Sequence, residues 1–227
     1  MAVMKSLRPL LVLALACLLV ACTAPMRPAQ PFDDPAVRDW LQARAEALAG
    51  GEPVQVALYS GAPIQADLEP DGRLRLWRAL LLRTRDEAEV TFVIAHELAH
   101  RSLGHFERRK AATDWDPLAA ELEADRQAID TLRQMGLRAD AGTSLLSLID
   151  AEFALVLEAD DPARILVSRR LEALWEQTAQ PHEPRSGDGW RSLLDARWQA
   201  WFAQDAASRD PARKGMVRDH VRRPRVG

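Results

Sequence analysis

The chain has 227 residues, 48% of them hydrophobic, which is enough for one domain of ordinary size with a real core once any targeting segment is removed. Its 30 basic and 33 acidic side chains leave a formal net charge of -3, which gives no electrostatic footprint for a nucleic acid and sets that class of partner aside. Only two cysteines occur, Cys17 and Cys22, both near the N-terminus, so a metal in the body of the chain must be held by His and carboxylates.

Residues 1–21 read as an export signal. Lys5 and Arg8 make a basic start, Leu10 to Val20 is an unbroken apolar run, and Leu19-Val20-Ala21-Cys22 closes it with small residues at the cleavage point. The run falls short of the roughly 20 apolar residues of a spanning helix. Its closing four residues resemble the lipobox of bacterial lipoproteins, which implies cleavage before Cys22 and a lipid anchor on its sulfur. The alternatives are an ordinary secretory signal and an N-terminal core helix. By the same resemblance, Thr23 in place of Asp after the cysteine implies the periplasmic face of the outer membrane rather than the inner one.

Residues 22–35, with Pro25, Pro28, Pro31 and Pro35, read as an extended tether, residues 36–205 as the folded domain and residues 206–227 as a solvated basic tail. A first helix is capped by Asp34, carries Val37, Trp40, Leu41 and Leu48 on one face and stops at Gly50-Gly51. The period then changes to two. Val54, Val56 and Leu58 alternate with Gln55, Ala57 and Tyr59, and after the turn Pro70-Asp71-Gly72 so do Leu74 and Leu76 with Arg73 and Arg75, which predicts two or three strands. From Thr84 the chain is helical almost to its end. Thr84 and Glu87 have capping-box spacing ahead of an apolar helix through Phe92, Val93, Ile94, Leu98 and Leu103. A second helix has Asp116 as cap, Pro117 at its first position and Gly136 past its end; further helical stretches run from Ser144 to Glu158, Pro162 to Gln177 and Asp188 to Phe202. The fold class expected is α+β, mostly helical, with a small β-sheet preceding a central helix and a helical C-terminal half.

That central helix carries Ile94-Ala95-His96-Glu97-Leu98-Ala99-His100. His96 and His100 stand one turn apart on one face, so both imidazoles reach one zinc ion, and Glu97, rotated about 100°, reaches a water on it. This is the metalloprotease arrangement. The plain alternative, two solvent-facing histidines, fits poorly with flanking Val93, Ile94, Ala95, Leu98 and Ala99. A catalytic zinc site needs a third protein ligand, and Glu121 and Asp125, four apart on the second helix, supply candidates. Their face also carries or borders Leu118, Leu122, Ile129 and Leu132, where unpaired like charges are costly. Glu121 as metal ligand and Asp125 as the group that orients a ligand histidine remove that conflict; a surface helix with merely solvated acids is the alternative.

His96-Glu97-Leu98-Ala99-His100, the following His105 and Glu121-Leu122-Glu123-Ala124-Asp125 together resemble the gluzincin zinc metallopeptidases of the type I CAAX prenyl endopeptidase, HtpX and BepA-like group, over roughly Val54 to Gln134. With no spanning helix in the sequence, the soluble periplasmic lipoprotein branch is the nearest. The resemblance implies one zinc per chain, polypeptide substrates, and hydrolysis of misfolded or misassembled envelope proteins. The family's later His-Pro segment is echoed only loosely by Pro181-His182-Glu183-Pro184-Arg185, which makes His182 or Arg185 the implied donors to the oxyanion, with the sole tyrosine, Tyr59, a weaker one. Glu97 is then the general base, and an extended peptide is expected on the sheet edge near Arg73 to Trp77. Arg101 departs from the uncharged residue usual after the motif, and Phe106 stands where a metzincin would have its third histidine, which leaves His105 structural or peripheral to the metal. The rival from another class is an outer-membrane-protein assembly chaperone that keeps the zinc site only as scaffold.

Overall fold

The computed structural model describes residues 30–61, 64–111, 115–178 and 189–207; the export signal, Cys22, the segment with His182 and Arg185, and the basic tail lie outside the described residues. Helix α1 (Pro35–Leu48) starts where the Asp34 side chain accepts a hydrogen bond from the Val37 N–H, with Pro35 at the first position. Four short strands follow the sequence β1 (Gln30–Pro31), β2 (Gln55–Ser60), β3 (Ala66–Leu68) and β4 (Arg73–Trp77), and form one sheet in the order β1-β2-β4-β3. Two of these strands escape sequence reasoning. β1 comes from the stretch expected as tether, Gln30 and Pro31 lying antiparallel to Ser60 and Tyr59, and its proline is tolerated because the strand is an edge.

β3 has only three residues, too few to show an alternation, and it folds back on β4 across the Pro70-Asp71-Gly72 turn. Its presence corrects the expected substrate edge. β4 is hydrogen-bonded on one side to β2, in parallel, and on the other to β3, antiparallel, so Arg73 to Trp77 have no free edge. Among the described strands the free edges belong to β1 and β3.

After the single turn of α2 (Arg78–Leu81) comes the helix with the histidine motif, α3 (Glu87–Ser102). Its cap is Asp86, which accepts from the Glu89 N–H, and not Thr84 as the capping-box spacing suggests. The Thr84 hydroxyl is engaged elsewhere, donating to the Leu81 carbonyl and accepting from the Trp190 indole. Fully buried Glu89 is satisfied by the guanidinium groups of Arg85 and Arg138, at 2.7 and 2.8 Å, which ties the start of α3 to the chain ahead of α6.

Helices α4 (His105–Ala111), α5 (Pro117–Gln134), α6 (Ala141–Val156), α7 (Pro162–Thr178) and α8 (Gly189–Ala207) complete the fold. α5 has the expected cap, Asp116 accepting from the Leu118 and Ala119 N–H groups. The result is the expected α+β, mostly helical class, with α3 at the centre against α1, α5, α6 and β3. Every residue of α3 from Ala88 to Ala99 is buried except Glu97, which is partly exposed. Ile94 meets a core that includes Ile129, Leu132 and Leu145, each worth about 1.5–3 kcal/mol when fully buried. Where α6 crosses α3, a Cβ on Gly142 would fall 2.4 Å from the Phe92 ring, so only glycine lets the two helices approach this closely beside the motif.

Candidate active site

The two motifs meet between α3 and α5. His96 Nε2 lies 3.1 Å from His100 Nε2 and 3.2 Å from a Glu121 carboxylate oxygen, and His100 Nε2 lies 3.5 Å from the other oxygen. Zinc held at about 2.0–2.1 Å places its donor atoms about 3.3–3.4 Å apart, the edge of a tetrahedron with arms of that length. The observed separations, 3.1 to 3.5 Å, bracket that edge, with the two histidines facing different oxygens of Glu121. Taken as one donor atom from each residue, the trio lies within 4.8 Å, a nitrogen and oxygen donor set of the kind that holds zinc. Among the described residues this trio is the group of His, Cys, Asp and Glu side chains close enough to share a metal.

Asp125 sits one turn beyond Glu121, buried, with Oδ1 2.9 Å from His96 Nδ1. A carboxylate only accepts, so His96 donates from Nδ1 to Asp125, which leaves Nε2, turned to His100 and Glu121, as the atom that would give up its proton to a metal. Glu97 lines a cleft of about 370 Å³ together with His96, His100, Glu121 and Arg170. β3 and the segment before it, Ile64 to Leu68, form one wall of the cleft; Leu80, Phe92, Val93, Leu145, Leu146 and Ile149 form an apolar one.

Sequence reasoning missed Arg170. This α7 side chain, 13% exposed, clamps Asp125 through Nε and Nη2 at 2.9 and 2.7 Å and reaches Glu121 through Nη1 at 2.9 Å. One signal for it exists in the sequence. Arg170 lies on the same helical stripe as buried Val167 and Leu174, and a charge on a buried stripe needs a partner.

The electrostatics follow from this crowding. Burial and the Arg170 charge pull His96 down, but hydrogen bonds and charge from Asp125 and Glu121 outweigh them and hold it at about 9. Burial, then the His96 charge, takes His100 down to about 4. Glu121, which burial alone would raise, is held at about 2 by the His96 hydrogen bond and the charges of Arg170 and His96. Burial likewise acts to raise Asp125, and Arg170 and His96 carry it well below the usual carboxylate range. Burial pushes the Glu97 carboxyl up to about 7. The carboxylates around His96 thus favour positive charge at the centre of the trio.

Of the other candidates, Tyr59 stacks on Trp77 at 5.1 Å and is not a lining residue of the cleft. His105 touches His100 rather than the trio's centre. His182 and Arg185 lie outside the described residues.

A family model described as Peptidase family M48 matches residues 42–180, a span that takes in the sheet from β2 onward, both motifs and Arg170. The chain belongs to peptidase family M48. No curated protein matches it. M48 membership supports a metalloprotease activity, and the family's zinc dependence agrees with a His96, His100 and Glu121 cluster whose donor atoms lie within 4.8 Å of one another.

Proposed function

We propose that this M48 chain is a zinc-dependent endopeptidase of the lipid-anchored periplasmic branch, hydrolysing misfolded or misassembled envelope proteins. One observation carries the reading: His96, His100 and Glu121 bring a donor atom each within 4.8 Å, beside Glu97, the one residue between Ala88 and Ala99 that stays partly exposed. Zinc bound by the trio supplies a Lewis acid that acidifies water and polarises a peptide carbonyl. Glu97 takes the proton from the attacking water and delivers it to the departing amine. Arg170 balances the charges of Asp125 and Glu121 and holds both carboxylates in place beside the histidines.

The shape of the cleft supports an extended substrate. The free edge of β3 offers backbone pairing without regard to sequence, and the apolar wall beside Glu97 takes an apolar side chain. Unfolded chains expose both, which folded ones bury. The full-length protein should digest an unfolded test protein, lose that activity to a zinc chelator and recover it when zinc is returned. Digestion indifferent to the chelator would contradict the reading.

The tether on Cys22 is part of the same proposal and rests on Leu19-Val20-Ala21-Cys22. Palmitate fed to the bacterial cells should label the protein, and Cys22→Ala should abolish the label and release the protein from the membrane fraction. A soluble, unlabelled wild-type product would remove the anchor from the account.

A further inference from the structure

Asp125 orients His96, which leaves the second histidine of the trio without an equivalent unless another group supplies one. α3 ends at Ser102 and Gly104 takes φ 67°, after which α4 begins at His105. In an unbroken helix a residue five positions on is turned about 140° away and raised about 7.5 Å. The break at Gly104 instead returns His105 to His100, with the two Nδ1 atoms 2.8 Å apart. On its other side His105 Nε2 lies 3.1 Å from a Glu123 carboxylate oxygen, and Arg108 Nη1 holds that same oxygen at 2.6 Å. His105 is 2% exposed, with the Trp115 ring packed edge-on at 5.9 Å.

The proton positions follow from donor and acceptor rules. Glu123 only accepts, so His105 carries its proton on Nε2 and presents the Nδ1 lone pair to His100. His100 must then donate from Nδ1, and its Nε2 lone pair is left facing His96 and Glu121. We propose that His105, Glu123 and Arg108 form a positioning relay that fixes the tautomer and ring orientation of His100 for zinc, as Asp125 does for His96. The relay rests on the zinc reading given above. It spans three elements, α3, α4 and α5, so the two motif helices are linked through the second coordination sphere as well as by packing. Glu123 therefore has a purpose distinct from its neighbours Glu121 and Asp125: it faces the His105 imidazole while they face the metal side.

The test compares zinc affinity, by chelator competition on the full-length protein, with unfolding measured in excess chelator. His105→Leu should weaken zinc about 10- to 100-fold, the range typical of lost partners to ligand histidines. His105→Gln, whose amide oxygen accepts from His100 and whose amide nitrogen donates to Glu123, should stay within about threefold of wild type. Glu123→Ala, at a half-exposed position, should weaken zinc about tenfold while unfolding in chelator is unchanged. Should His105→Leu fail to fold, Glu123→Ala decides alone. Wild-type affinity in Glu123→Ala, or equal losses in His105→Leu and His105→Gln, would reduce His105, Glu123 and Arg108 to a packing staple and overturn the relay. A wild-type protein that binds no zinc would overturn the zinc reading itself and the relay with it, a distinct result.

Discussion

Glu121→Ala should yield a folded protein that neither retains zinc nor digests substrate. Glu121 is the one non-histidine donor of the trio, and its loss leaves two imidazoles 3.1 Å apart with no carboxylate to close the tetrahedron. Losing a partner to a ligand histidine costs about 10- to 100-fold in metal affinity, so losing a ligand should exceed about a hundredfold. Folding should survive, because Arg170 keeps its bidentate pair with Asp125 and is not stranded in the core. Metal analysis together with a thermal melt measured in chelator checks both halves. Equal zinc in Glu121→Ala and wild type would move the third ligand to another residue.

The second large effect belongs to Glu97. Its carboxylate makes none of the hydrogen bonds that organise the trio, it faces the cleft, and burial has raised it to about 7. A Gln there keeps the size and polarity and removes the base. General-base catalysis contributes about a hundred- to ten-thousand-fold, so proteolysis should fall within that range while zinc binding is unchanged. The two substitutions thus separate the roles: Glu121→Ala loses metal and activity together, Glu97→Gln only activity.

Local signals were legible in the sequence where the residues that make them act locally. Asp116 with Pro117 and Asp34 with Pro35 mark helix starts because a cap bonds within its own first turn. Thr84 misleads because a tertiary partner, the Trp190 indole 106 residues away, takes its hydroxyl and leaves Asp86 to cap α3. β1 and β3 are two and three residues long, below the length at which alternation can be read, and missing β3 put the free edge on the wrong strand. That His96 and His100 share one face, and Glu121 and Asp125 another, was within reach because four-residue spacing on a helix fixes which side chains stand together; that the two faces meet depends on packing. Arg170, 45 residues beyond Asp125 on a different helix, and the return of His105 at Gly104 depend on packing and on one backbone angle, neither of which periodicity encodes.

The most direct measurement is digestion of an unfolded test protein by wild type and Glu97→Gln, each at its measured zinc content. With about one zinc per chain in both, the account predicts that wild type cleaves and that Glu97→Gln is slower by about a hundred- to ten-thousand-fold. Equal digestion rates at equal zinc would contradict it, and the zinc helix would then be the scaffold of an envelope chaperone rather than the centre of a peptidase.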